Sequence, residues 1–248
     1  MTLTLKTLPT VKGFRSVDFG LDGRSQEFTS PLAGTSQIAV MAQPRWRGIY
    51  ETPPLSGANA RTWRAFLSSL RGRECVFYGH DPSFDTFEGL DAFTVDPSAP
   101  TFDSDVLTWD SDLVTFDAWA GPLAVGAPTV REAGQTGAVL KTTGWLAGMR
   151  IYEGEYIAFD ATDARGNVLR SLHIVETAIT VGAGGDVNLT LSPPVRIAPD
   201  LGAAIETVRP GCTMRLADDS GGRWVTDEHG HSRIRFEAVQ VLVGPPSA

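Results

Sequence analysis

One stretch of this chain can form an amphipathic helix, and little else in it can. Trp63, Phe66, Leu67 and Leu70 recur at i, i+3, i+4 and i+7, the spacing that stacks side chains on one helical face. Arg61, Arg64, Ser68 and Arg71 fill the rest of the wheel. The spacing predicts a helix over residues 57–71. Ser56 or Asn59 can cap its start by accepting a backbone N–H, and Gly72 can take the left-handed position that ends it. Arg71 and Arg73 fall at the negative end of the helix dipole, where cations are favoured. Burying the four apolar side chains contributes roughly 6–12 kcal/mol as an upper bound. A sheet is the only surface left to receive them, so the stripe reads as core.

The rest of the chain is written in strands and turns. Among 248 residues there are 26 Gly and 16 Pro, a density that breaks the sequence into short segments. Phe14, Val17, Phe19 and Leu21 nearly alternate, Gly20 to Arg24 supply a turn, Gln37–Met41 and Trp46–Tyr50 are candidate strands, and a hairpin from Phe28 to Tyr50 is expected to lead into the helix. Cys75–Tyr78 returns the chain to the sheet. From about Val130, strand pieces recur at roughly ten-residue spacing. They include Val139–Lys141, Met149–Tyr152, Tyr156–Phe159, Val168–Thr177, Val187–Leu191, Ala203–Val208, Thr213–Leu216 and Ile234–Val243, with Pro193-Pro194 stopping one of them. The expected fold is mainly β: an antiparallel, sandwich-like domain with one packed helix at 1–90, a connecting arm at 91–130, and a small barrel or sandwich at 131–248.

The arm carries a repeat of period seven: Thr101-Phe102-Asp103-Ser104-Asp105, then Thr108-Trp109-Asp110-Ser111-Asp112, then Thr115-Phe116-Asp117. Three short copies do not make a solenoid, and Thr, Ser and Asp are poor coiled-coil material. Each copy reads as an extended piece closed by an Asp-Ser-Asp turn. The D-x-D pairs raise calcium as an alternative, but the EF-hand pattern is absent and a solvated turn with an aromatic anchor is favoured. The segment is expected to lie across neighbouring chains.

Two ordered sets of residues carry a resemblance. The first is Phe28-x-Ser30-Pro31-x-x-Gly34-x-x-Gln37, then Arg45-Trp46, then Trp63-x-Ala65-Phe66-Leu67-x-x-Leu70-Arg71-Gly72. The second is Gly144-Trp145, Gly154-Glu155-Tyr156, Leu172-His173-Ile174-Val175 and Pro193-Pro194-Val195-Arg196. Together they resemble minor tail proteins of long-tailed bacteriophages and phage-derived gene transfer particles, and are most similar to the distal tail proteins. Pro44 stands where related sequences often have Gly. The resemblance implies a structural virion protein forming a six-fold ring, a homo-hexamer, between a tail tube protein and a tail-tip hub protein. It places the first ninety residues in the ring and the last hundred and ten facing outward. Arg45, Trp46 and Arg47 are the candidate ring contacts, since Arg and Trp are enriched where interfaces are desolvated; Trp46 reads more readily as core, which leaves the two arginines as the firmer candidates.

Little in the sequence points to chemistry. The formal net charge is −8, and no basic block exists to coat nucleic acid. Cys75 and Cys212 are the only cysteines; they read as buried thiols rather than a bridge, and two do not support an iron–sulfur cluster. His229-x-His231 would suit a metal on a strand, but its Gly-containing context reads as a solvated loop; His173 sits in an apolar strand. No zinc-protease, nucleophile-elbow or phosphate-loop motif is present, so the chain is read as a non-enzyme without metal or cofactor. Neither a secretory signal nor a bilayer-length apolar run is visible. A virion protein made in a bacterial cytoplasm is expected. The alternative is a glycan-binding module for host attachment, motivated by Trp145, Tyr152, Tyr156 and Trp224.

Overall fold

A computed structural model describes residues 3–10, 13–29, 36–84, 128–219 and 223–241, with the backbone alone at 24–29, 36–43 and 223. In chain order the elements are β1 (Leu5–Lys6), β2 (Ser16–Thr29), β3 (Ser36–Glu51), α1 (Gly57–Ser69) and β4 (Val76–His80). Then follow β5 (Thr129–Val130), β6 (Gly137–Thr143), β7 (Arg150–Ile151), β8 (Tyr156–Thr162), β9 (Val168–Val175) and β10 (Ile179–Thr180). The last are β11 (Val187–Val195), β12 (Ile205–Glu206), β13 (Gly211–Leu216), β14 (Arg223–Thr226) and β15 (Ser232–Gln240). The protein is mainly β, with antiparallel sheets and one helix among the described residues. That helix is not long and apolar enough to cross a membrane. The period-seven repeat and residues 91–127 of the arm lie outside the described residues.

The first sheet runs β1-β4-β13-β15-β3-β2, with β14 also paired to β15. Helix α1 lies on it through the expected stripe: Trp63, Phe66, Leu67 and Leu70 are all buried. The Trp63 ring sits 6.1 Å from Phe236, and Phe66 meets Phe77 edge-on at 5.7 Å. Ser56 occupies the N-cap in extended conformation, but its hydroxyl makes no capping bond, and Asn59 lies inside the helix. The C-terminal end comes earlier than the sequence reading placed it: the helix stops at Ser69 with Leu70 as its C-cap, and Arg71 at φ +49° takes the left-handed position ahead of Gly72 at +68°.

Two strands of this sheet come from the far end of the chain. β13 pairs with β4, Met214 opposite Phe77, and β15 pairs with β3, Phe236 opposite Tyr50. Residues 211–240 therefore do not belong to a C-terminal unit starting at 131, as drawn from sequence. The reason lies in edges: β3 and β4 do not pair with each other, and the β13–β15 pair fills the gap between them.

The turn expected at Gly20–Arg24 is also not formed. β2 and β3 pair continuously from Ser16↔Glu51 to Thr29↔Ser36, with register shifts between Asp22 and Ser25. Asp22 opposes Arg45, but Arg24 opposes Ala42, so β3 gains an extra residue beside Pro44. A proline cannot donate to the ladder, and a bulge is where a strand tolerates one. β15 pairs with β3 only along Arg47–Glu51. Beyond Trp46, among the described residues, the two strands pair only with each other, a ribbon reaching about 20 Å past the sheet.

Residues 128–206 form the second unit, a nearly closed barrel in the order β12-β8-β9-β11-β6-β5. Its ends are joined where Val130 N–H donates to Ala203 O at 2.9 Å and Ile205 N–H to Pro128 O at 2.7 Å. Leu140, Ile157, Phe159, Val175, Leu189 and Leu191 are among the residues filling its core. Pro193-Pro194 does not stop β11: the strand continues to Val195, which opposes Gly137, and the prolines sit in the register shift between Thr190 and Val195. Ala158 and Leu172, from β8 and β9, join the core of the first sheet instead. These strands are buried on both faces, which accounts for the unbroken apolar run Tyr156–Phe159.

Candidate functional site

The ribbon leaves the sheet at Arg45, Trp46 and Arg47, and the structure gives the three different surroundings. Trp46 is buried. Its ring stacks on Phe19 at 5.3 Å and meets Tyr156 edge-on at 5.6 Å. The indole N–H donates to Leu172 O at 2.7 Å, and the Trp46 backbone N–H to Gln240 Oε1 at 3.2 Å. Trp46 thus clamps the barrel to the sheet, and of its two sequence readings the core is the one realised. Arg47 is exposed and ion-paired to Glu237 at 2.8 Å. That hydrogen bond is the main cause holding its guanidinium more firmly charged than usual.

Arg45 is half-buried, opposite Asp22 across the ribbon, and belongs to a cluster that the sequence did not reveal. Arg215 on β13 lies in the same cross-strand row as Arg47, through Val239, so Arg45, Arg47 and Arg215 share one face of the sheet. Burial, then Arg73 and Arg45, lower the pKa of Arg215. Its Nε is buried without a hydrogen-bond partner. Arg196, following β11, donates to the carbonyl of Pro44, while its Nη1 is buried and unpartnered and burial lowers its pKa. Among the described residues, no carboxylate forms an ion pair with Arg45, Arg73, Arg196 or Arg215. Arg45, Arg73 and Arg215 therefore lie near one another beside the root of the ribbon, and Arg196 is held against it at Pro44. Eighteen Arg against three Lys was the available signal, since Arg is the residue suited to planar, bidentate pairing.

Among the described residues, two edge strands without a further partner bound the sheet. β1 closes one side and β2 the other. A groove of about 430 Å³ runs along residues 14–19, bounded by Asp81, Pro82 and Ser83.

The remaining candidates fall away from this region. Trp145 is buried, its indole N–H donating to Thr142 Oγ1 at 2.7 Å, and Tyr156 is engaged with Trp46. Trp145 is thereby withdrawn from any glycan surface, and Tyr156 is half-buried. Tyr152 lies under Arg150 at 5.1 Å, and Trp224 remains 46% exposed with Arg64 over its ring. His229 and His231 occupy a turn whose backbone N–H groups donate to Asp227 Oδ1. Among the described residues no group of three or more His, Cys, Asp or Glu could hold a metal ion. Cys75 and Cys212 are free and buried, and burial pushes the Cys212 thiol far above its usual pKa, away from nucleophilic use. On the barrel, Arg170 holds Asp160 at 2.8 Å and lies over Tyr78 at 4.4 Å. Its backbone N–H donates to Thr213 Oγ1 at 2.8 Å, a second tie between barrel and sheet. No protein-family model matches this sequence, and no curated protein matches it.

Proposed function

We infer that this protein is a structural subunit that closes into a ring at the distal end of a phage-type tail, between tail tube and hub. The observation that carries the reading is the β2–β3 ribbon. An isolated two-stranded ribbon is marginally stable at best in water, and its outer edges offer backbone groups that template pairing with another chain. A head-to-tail contact that closes satisfies every copy at once. The β1 and β2 edges of the sheet and the resemblance of the ordered motifs to distal tail proteins support the same reading. In this arrangement the sheet domain makes the ring, Arg47 and Arg45 lie beside its contact, and the barrel faces outward. The role is architectural rather than catalytic.

Native mass spectrometry of the full chain, with negative-stain imaging, tests it. A closed ring is expected, hexameric if the resemblance holds. Replacing residues 24–41 by an Asn-Gly turn is expected to leave a folded monomer with its near-ultraviolet circular dichroism intact. A wild-type chain that stays monomeric at every concentration, or a ribbon-less variant that still forms rings, refutes the reading.

A further inference from the structure

The arginines at the root of the ribbon have a counterpart in the chain's own sequence. Between Asp85 and Ala127 lie nine of the 29 acidic residues and none of the 21 basic ones. The rest of the chain is close to neutral, so this one segment accounts for the protein's whole net negative charge. Its repeats set an aromatic residue immediately before a carboxylate: Phe102-Asp103, Trp109-Asp110 and Phe116-Asp117. A guanidinium accepts both partners, the carboxylate through paired N–H donors and the ring against its flat face.

We propose that the Arg45, Arg73 and Arg215 cluster is the docking site for the Asp/aromatic repeats at 101–117 of this chain. Three observations carry it. Arg45 and Arg215 share one face of the sheet and lie close to Arg73. Arg215 Nε is buried with no hydrogen-bond partner, and such a donor costs stability until it is satisfied. Of the acids near the cluster, Glu237 is taken up by Arg47 at 2.8 Å, and Asp22, opposite Arg45, forms no ion pair with it. Reach is no obstacle. The segment starts after Phe84, whose ring is 5.1 Å from Tyr156, and ends before Pro128, whose carbonyl is held by Ile205; a chain of this length spans on the order of 100 Å when extended. The docking does not rest on ring formation, because a peptide assay reads only the contact.

The test uses the full chain with Asp103, Asp105, Asp110 and Asp112 changed to Asn, so that its own repeats do not compete. A fluorescent peptide spanning Ala99–Trp119 is titrated against it by anisotropy. Saturable binding is expected that weakens as salt screens the charges. Adding Arg45→Glu and Arg73→Glu is expected to lower affinity by on the order of tenfold or more. Circular dichroism checks the fold of that variant, and Arg45→Gln with Arg73→Gln serves if charge reversal unfolds it. A peptide carrying the same four Asp→Asn changes is expected not to bind. Affinity indifferent to the arginines, binding by the neutral peptide, or sulfate binding without peptide binding each overturns the proposal.

Discussion

His173 gives the protein a specific sensitivity to mild acid. The imidazole is 1% exposed and lies flat on Phe159, with centroids 5.0 Å apart and planes 8° from parallel. Nδ1 meets the Pro193 carbonyl at 2.6 Å, so it carries the proton of the neutral ring, and Nε2 is buried without a partner. Burial lowers the pKa to about 4; the Pro193 carbonyl opposes this and the Arg196 charge adds to it. Unfolded, the same side chain titrates near its ordinary value of 6.5. Above that value both states are neutral and His173 contributes no pH dependence. Between 6.5 and about 4 only the unfolded chain takes up the proton, so stability falls as pH falls. Below about 4 both states are protonated and the loss levels off. The interval corresponds to roughly 3 kcal/mol. Urea unfolding followed by tryptophan fluorescence, from pH 8 to pH 4, measures it in the wild type and in His173→Gln, whose amide can still donate to Pro193. The carboxylates and the other histidines contribute equally to both proteins and cancel in the difference. The wild type is expected to lose about 3 kcal/mol more than the variant across this interval. Parallel curves for the two proteins would show that the buried imidazole titrates normally and refute the reasoning.

Three substitutions check the packing. Trp63→Ala removes the centre of the helix stripe and is expected to cost about 3–5 kcal/mol in chemical denaturation; a cost below 1 kcal/mol would deny α1 its place in the core. Trp46→Phe keeps the stacking on Phe19 but orphans the Leu172 carbonyl. It is expected to cost about 1–3 kcal/mol and to speed hydrogen exchange along β9. Gly79→Ala places a Cβ against Met214 and 2.8 Å from Tyr50 Oη. Overpacking there is expected to cost about 1–3 kcal/mol by thermal unfolding, and a neutral result would show that Met214 can move aside.

Local pattern made the helix legible, because a stripe such as Trp63–Leu70 has no competing explanation at that spacing. The barrel strands were legible for the same reason, as short alternations between turn residues. The misread places were those where one residue type serves two purposes. Gly20–Arg24 and Pro193-Pro194 have turn composition, yet the structure takes them up at register shifts inside β2, β3 and β11. Pairing of β13 with β4 and of β15 with β3 was invisible, since strands separated so far along the chain leave no local trace. The arginine cluster was hidden likewise. Its members come from β3, the segment after α1, the segment after β11, and β13, and only the topology brings them together.

The two residues that begin and end the barrel sit side by side, with Ile205 N–H bonded to Pro128 O. The sheet, by contrast, is interrupted between β4 and β13 and resumes only after the barrel is complete. The barrel is in effect a guest module, inserted into its host through two adjacent threads. A ribosome making this chain releases β3 and β4 long before the strands that separate them exist. Those two edges must wait, exposed, through the synthesis of the guest, and the contacts that seal them are among the most distant in the sequence. Adjacent threads also let one guest replace another without disturbing the host's strand order. The barrel can therefore change over evolution while the sheet that carries the ribbon stays the same.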